Sequence, residues 1–200
     1  METMKNRAQS IMLIVLKDLA VTHTATSLAK ELQMSRWGIW KILKKLQGND
    51  LIVVEPIGSG KTSINRIKLN WENVLVEKTL ALSLTQEALK YKKWISNFAD
   101  LEKEVDFLIL YGSILYSSKE ARDIDIIGIV SNEKKFRKIG DIVLEIQETQ
   151  IKKIHSVNFT QKEFEKELKK SNKAFIDAIK KGVILFGQEK FIRFMRKLQT

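Results

Sequence analysis

The first 70 residues change from the 3.6-residue apolar period of helices to the two-residue period of strands. Three amphipathic stretches come first; the second opens at Thr26, and the third follows Ser35 and ends near Gln47. Residues 51–55 and 64–69 are rich in β-branched or alternating apolar residues and are joined by a glycine-containing segment. The pattern predicts three helices followed by a two-stranded β-hairpin.

The rest of the chain predicts a helical segment and then an α/β module. Residues 73–103 favour helix and contain neither glycine nor proline, which indicates a stiff connection. Beyond residue 105, short apolar strands alternate with helical stretches. The predicted strands are 107–111, 124–130, 154–159 and 182–187, and the predicted helices are 133–147 and 161–181. We therefore predict an N-terminal domain over residues 1–75, a helical connector over 76–104 and an α/β (α+β) domain over 105–200.

Several classes of protein are excluded by composition. The longest apolar stretches are shorter than the roughly 18 residues that cross a bilayer, and no signal-peptide cleavage site follows the first residues. We expect a cytoplasmic protein without a membrane partner. The chain has no cysteine and two histidines, which argues against disulfides, thiol nucleophiles and histidine-based metal clusters. Any catalysis must use carboxylates, hydroxyls or lysines.

The charge of the chain favours a polyanionic partner. The formal net charge is +11, and it is divided between residues 1–75, with +5, and residues 106–200, with +6, around a neutral connector. Such a surplus is typical of proteins that bind nucleic acid or nucleotides. The alternative is that the lysine-rich surface only keeps the protein soluble.

The third predicted helix has one apolar and one basic face. Isoleucines and leucines fall on one side, while Trp37, Lys41 and Lys44 project from the other. A helix of this kind suits the major groove of double-stranded DNA, with its first residues nearest the bases. The predicted DNA contacts are Ser35, Arg36, Trp37, Lys41, Lys44 and Lys45 on this helix and Lys61 and Arg66 on the hairpin. The alternative is a solvated face with Trp37 packed against a neighbouring element.

Residues 25–52 read ATSLAKELQMSRWGIWKILKKLQGNDLI and resemble the helix-turn-helix core of bacterial and archaeal winged-helix transcription regulators. The resemblance covers about residues 8–70. It implies a winged helix-turn-helix domain that binds DNA, usually as a homodimer on paired half-sites.

The most informative motif of the C-terminal domain is Gly112-Ser113, followed after nine residues by Asp123-Ile-Asp125. Two aspartates two residues apart on a strand point to the same face, so they are able to share divalent metal ions. A glycine and a serine where a strand ends allow the close approach of phosphate groups. The spacing predicts a site for a metal-bound nucleotide.

This motif resembles that of the nucleotidyltransferase superfamily related to DNA polymerase β, in particular its small prokaryotic members. The similarity runs from about residue 107 to 187 and implies a mixed sheet flanked by helices. By this resemblance, Gly112 and Ser113 bind the phosphates of a nucleoside triphosphate. Asp123 and Asp125 are the catalytic carboxylates that hold Mg²⁺.

The sequence departs from the family pattern at two points. Residues 114–122 lack the Arg-Gly usual after Gly-Ser, and Asn158 stands where a third carboxylate is expected. Asn158 is then a weak metal ligand, unless Glu145 or Glu148 replaces it. We interpret His155 as a strand residue rather than a ligand. The sequence thus leaves open whether the domain is a Mg²⁺-dependent enzyme or a weak or inactive relic.

Three functional hypotheses follow. The first is a DNA-binding transcription regulator whose nucleotidyltransferase-like domain binds a Mg²⁺–nucleotide complex and is catalytically weak or inactive. The second is an active nucleotidyltransferase that transfers a nucleoside monophosphate to a protein, an RNA or a small molecule. The third is a partner-binding component of a toxin–antitoxin-like pair.

Overall fold

The computed structural model describes residues 4–58 and 64–199 of a mixed α/β chain that divides into two compact units, Met1–Ser83 and Leu84–Thr200. A long helix, α4 (Val74–Ala88), includes the point of division. The described part of the first unit also contains α1 (Met4–Lys17), α2 (Ala25–Glu31), α3 (Arg36–Gly48), β1 (Ile52–Ile57) and β2 (Ile64–Leu69). The second contains α5 (Lys92–Asn97), β3 (Phe107–Tyr111), β4 (Asp123–Val130), α6 (Lys135–Glu148), β5 (Lys153–Thr160), α7 (Gln161–Lys169), α8 (Lys173–Lys181), β6 (Val183–Phe186) and α9 (Gln188–Gln199).

The N-terminal unit has the predicted order of three helices and a hairpin. β1 and β2 pair antiparallel, with Ile52 opposite Leu69. The N–H of Ile67 donates to the carbonyl of His23 at 2.8 Å, which attaches the hairpin to the segment before α2. Apolar side chains of α1, α2, α3 and both strands are buried together, so the helical periodicity identified the core face of α3 correctly.

Short polar contacts define the turn from α2 to α3. Thr24, rather than the predicted Thr26, caps α2: the Ser27 N–H donates to Thr24 Oγ1 at 3.1 Å, and the Thr24 N–H donates to Ser27 Oγ at 2.8 Å. Gln33 adopts the left-handed conformation at φ 51°, which reverses the chain where the sequence has no glycine. The Gly38 N–H then donates to Ser35 Oγ at 3.1 Å, which starts α3.

Part of the predicted connector belongs to the core of the C-terminal unit. Residues 84–104 form the end of α4, α5 and two short 3₁₀ turns, Leu89–Tyr91 and Ala99–Leu101. Trp94 and Phe98 are buried in the same apolar cluster as β3 and β4. These residues therefore stabilise the sheet in addition to joining the two units.

The C-terminal sheet is mixed, as predicted, with the strand order β5-β4-β3-β6. β3 lies antiparallel to β4 and to β6, whereas β4 and β5 are parallel. Alternate residues of β4, such as Ile124 and Ile126, are buried in one cluster with Ile139 and Val143 of α6. The side chains of Asp123 and Asp125 are therefore on the other face of the sheet.

Two features of the C-terminal half differ from the predicted elements. The single helix over 161–181 is wrong: Ser171 is left-handed at φ 57°, and Asn172 starts α8 by accepting a hydrogen bond from the Ala174 N–H at 3.2 Å. The helix α9 was not predicted, although its buried Phe191 and Phe194 have helical spacing. Within the described ranges, no helix combines the length and the apolar character that a membrane span requires.

Candidate functional site: an Asp-Asp-His cluster beside a glycine turn

The two predicted catalytic carboxylates lie close to a histidine of the neighbouring strand. Asp123 and Asp125 are the first and third residues of β4, and His155 of β5 pairs with Asp125. His155 Nδ1 is 3.5 Å from Asp123 Oδ2 and 3.4 Å from Asp125 Oδ1. One ligand atom from each of the three side chains lies within 4.8 Å of the others, and no other such group of three occurs in the described residues.

Gly112 forms the turn against which Asp125 packs. Its φ of +83° is in the left-handed region, and a Cβ built on it would overlap Asp125 Oδ2. Only glycine therefore lets the chain turn and the carboxylate occupy this space. Ser113 follows as the first residue of a short 3₁₀ turn and is exposed to solvent. The structure thus places Gly112 next to Asp125 of the acidic pair.

Burial and like charge make this cluster electrostatically unusual. Burial, and then repulsion from Asp123, raise the pKa of Asp125, while His155 opposes the shift. Burial also raises the pKa of Tyr111, with further contributions from the two aspartates. Negative charge at this point is therefore incompletely compensated, which is the condition that a bound cation relieves.

Asn158 does not join the two aspartates. It pairs with Gly128 in the parallel register, three residues beyond His155, so its side chain lies on the opposite face of the sheet. Asn158 Oδ1 is buried over Gly128, and the described residues offer it no hydrogen-bond partner. The prediction of Asn158 as a metal ligand is corrected accordingly. Glu145 and Glu148 are exposed on α6, which is helical as predicted, and neither belongs to the cluster.

His155 is a strand residue of β5, as interpreted from the sequence, and its side chain lies beside the two aspartates. Ile154 is buried and His155 is exposed, an alternation that was visible in the sequence. What the alternation did not show is which residue of β4 would lie opposite. That information is contained in the register, which pairs His155 with Asp125.

A small cavity of about 140 Å³ adjoins the glycine turn. Tyr111, Tyr116 and Leu115 contribute to its walls on one side, and Asp177 and Lys181 of α8 on the other. The two charged residues of α8 form an ion pair at 3.3 Å. Ligand pockets typically have volumes of about 300–1,000 Å³, so this cavity holds at most a part of a nucleotide.

The basic face of α3 is exposed in the N-terminal unit. Trp37 is 73% exposed, so the alternative in which it packs against a neighbouring element is wrong. Lys41 Nζ lies 5.3 Å from the centre of the Trp37 ring, a cation–π distance. Arg36, Lys44 and Lys45 are exposed on the same helix, and Ser35 is its N-cap.

The predicted DNA contacts on the hairpin differ from those on α3 in their charge environment. Arg66 forms an ion pair with Glu55 at 2.8 Å, and Lys68 reaches the same carboxylate at 3.1 Å. Hydrogen bonds from Arg66 and then Lys68 hold the pKa of Glu55 below its usual value. Arg66 is therefore partly neutralised within the hairpin rather than a free cation. Lys61 lies outside the described residues.

No protein-family model, curated protein or solved structure matches the chain.

Proposed function

We propose that the chain is a DNA-binding regulator whose C-terminal unit binds a divalent metal ion together with a nucleoside triphosphate. The observation that carries the proposal is the contact of Asp125 with the Gly112 turn, because it brings metal-binding carboxylates next to a backbone that a phosphate is able to approach closely. The winged helix-turn-helix and nucleotidyltransferase-like architectures are part of this proposal.

The DNA-binding part is supported by α3. Its apolar residues are buried, so the opposite face, with Trp37 and three lysines, is available to a partner. Lysines on an exposed helix contact phosphates or guanine acceptors, and in the proposed complex the aromatic ring near the N-terminus contacts base edges. Because Glu55 engages Arg66 and Lys68, α3 carries the larger part of this interface.

The nucleotide-binding part is supported by the charges and the space around Gly112. Asp123 and Asp125 would hold the divalent cation, which would supply positive charge to neutralise the phosphate oxygens of the nucleotide. The adjacent cavity is too small for a whole nucleotide, so the phosphates lie at the open aspartate cluster. The base or sugar then enters the cavity between Tyr111 and α8.

A second function, nucleotidyl transfer, is favoured by the position of His155. Asn158 was one of two reasons to expect a weak or inactive domain, but its side chain is on the other face of the sheet. The third side chain at the aspartate pair is His155, so the site has three potential ligands. In such a transfer, an acceptor hydroxyl attacks the α-phosphate and pyrophosphate leaves.

Calorimetric titration of the full chain with each of the four nucleoside triphosphates, with and without divalent metal, tests the proposal. We expect metal-dependent binding that Asp125→Asn abolishes. Asp141→Asn removes an exposed carboxylate from α6 and serves as the matched control. Measurement of pyrophosphate release in the same samples separates transfer from binding. Metal-dependent affinity that is equal in both variants would contradict the proposed site.

The N-terminal part is tested by the fluorescence anisotropy of the full chain with labelled duplex DNA at increasing salt. The homodimer, the cytoplasmic location and an additional protein partner stay predictions. Light scattering with and without DNA measures the first of them.

A further inference from the structure

We infer that His155 makes the acidic site selective for a tetrahedral transition-metal ion of the Zn²⁺ or Co²⁺ type rather than for Mg²⁺. The inference concerns the metal of the proposed nucleotide site and therefore rests on the proposed function. It assigns a ligand role to a residue whose ring lies between two carboxylates at nearly equal distances.

The chemistry of the three donors supports this selectivity. Mg²⁺ prefers oxygen ligands in octahedral geometry and retains several waters. Imidazole nitrogen is a ligand of Zn²⁺, Co²⁺ and related ions, which accept a mixture of carboxylate oxygen and histidine nitrogen. One nitrogen and two carboxylates are the donors at this site. Three protein ligands also leave one tetrahedral position open for a water or a phosphate oxygen.

The two distances from His155 Nδ1 are close to the separation of ligand atoms around a tetrahedral ion. Two ligand atoms that are each about 2.1 Å from a tetrahedral metal ion are about 3.4 Å apart, whereas neighbouring ligands of an octahedral Mg²⁺ ion are about 3.0 Å apart. His155 Nδ1 is 3.4 Å from one carboxylate oxygen and 3.5 Å from the other. Both distances are longer than the usual 2.7–3.2 Å of an N–H···O hydrogen bond.

The surroundings of the cluster limit its rearrangement. Asp125 is packed against Gly112, so its carboxylate cannot move toward the turn. His155 lies on β5, which pairs with β4 without interruption from Asp123 to Val130. The three ligand atoms lie within 4.8 Å of one another, so small side-chain rotations bring all of them to one ion.

The chain is well suited to a spectroscopic test. It contains no cysteine and two histidines. The histidine outside the cluster, His23, is buried, and its Nε2 lies 2.9 Å from the carbonyl oxygen of Asp18. Histidine binding of a metal ion to the folded protein therefore reports on His155. An untagged protein is used, because a histidine tag would bind the same ions.

Co²⁺ is the probe, without nucleotide. We expect one Co²⁺ to bind per chain and to show the intense visible bands of four-coordinate cobalt. In competition calorimetry, Zn²⁺ should displace Co²⁺, and Mg²⁺ should bind at least about a hundredfold more weakly than Zn²⁺. His155→Ala should weaken Co²⁺ binding by at least about tenfold, since loss of even an outer-shell partner costs 10–100-fold. Val157→Ala, on the same face of β5, is the control and should leave the bands unchanged.

His155→Asp supplies a third carboxylate and should reverse the preference toward Mg²⁺, which a loss of folding would not do. Equal affinity of the native chain for Mg²⁺ and Zn²⁺, or cobalt bands that persist in His155→Ala, would overturn the inference. Nucleotide binding supported by Mg²⁺ and unaffected by His155→Ala would overturn it while the proposed function stands. His155-dependent metal binding without any nucleotide binding would support the inference and contradict the proposed function.

Discussion

The carboxylate of Asp125 occupies the space in which a side chain at position 112 would begin. A Cβ on Gly112 overlaps Asp125 Oδ2, and the φ of +83° at Gly112 is itself unfavourable for residues with a side chain. The absence of one methyl group thus allows the turn and the acidic site to adjoin each other.

Gly112→Ala should therefore remove metal and nucleotide binding. The added methyl strains the backbone and displaces Asp125, at a cost of about 1–3 kcal/mol for a non-glycine residue forced into this conformation. Gly140→Ala is the matched control, because among the described residues no atom beyond its chain neighbours and the adjoining backbone of α6 lies within 4 Å of a Cβ built at this position. It should raise the free energy of unfolding by about 0.5–1 kcal/mol. Urea unfolding and calorimetric titration measure both effects; unaltered metal affinity in Gly112→Ala would contradict the site.

Lys41→Ala combined with Lys44→Ala should weaken binding to all duplex sequences. Each lost phosphate contact makes the negative slope of log K against log salt shallower by about 0.9, so the magnitude of the slope should decrease by up to about 1.8. The control is Lys162→Ala with Lys166→Ala, which removes the same charge from exposed positions of α7. Anisotropy titrations at several salt concentrations compare the two pairs. Equal losses of DNA affinity in the two double variants would show that binding depends only on the net charge of the protein.

Trp37→Ala should change sequence preference more than the salt slope. The ring is neutral, and it is placed at the start of α3, where base edges are nearest. Competition between a selected duplex and random DNA measures the preference. An unchanged ratio of the two affinities would exclude a base-reading role.

Glu55→Gln should strengthen DNA binding. Glu55 is ionised at neutral pH, since Arg66 and Lys68 lower its pKa further below the usual acidic value, and it holds both cations in the hairpin. The amide removes one negative charge and releases the two side chains toward phosphate, so a several-fold tighter complex at low salt is expected. The gain should decline as salt rises. Weaker binding by Glu55→Gln would show that the ion pairs position the hairpin for DNA.

Asp106 should make the stability of the C-terminal unit depend on acid pH. Its burial raises the pKa, but hydrogen bonds from Ser131, Lys190 and Gln161 outweigh this, and the folded pKa is below its usual value of 3.8. A lowered pKa stabilises the fold at pH values above 3.8, and this contribution is lost as the pH falls from there through the folded pKa. The stability difference between the native chain and Asp106→Asn should therefore shrink in that range. Urea unfolding at neutral and acid pH measures it; a constant difference would contradict the prediction.

Asn158→Asp should destabilise the protein without strengthening metal binding. Asn158 Oδ1 is buried over Gly128 with no hydrogen-bond partner among the described residues, so an aspartate there adds an uncompensated charge. The cost should be at least about 3 kcal/mol, the upper part of the range for an orphaned buried polar group. Thermal unfolding and Co²⁺ titration of the same variant test both parts; a gain in metal affinity would return Asn158 to the site.

The local sequence was sufficient to predict the relative directions of side chains that lie on the same helix, strand or turn. The helical period identified the buried and exposed faces of α3, and the two-residue period placed Asp123 and Asp125 on one face of β4. Likewise, Gly112 at the end of β3 indicated the turn. In each case, the relevant residues are within a few positions of one another, so backbone geometry alone determines their relative directions.

Tertiary structure decided which residue of β5 meets the acidic pair. β4 and β5 are joined through α6 and its loops, and nothing in that connection specifies the register of the parallel strands. Because side chains alternate, a residue an odd number of positions away from His155 must lie on the other face, and Asn158 is three positions away. Only the pairing of His155 with Asp125 determines that an imidazole, and not an amide, completes the cluster.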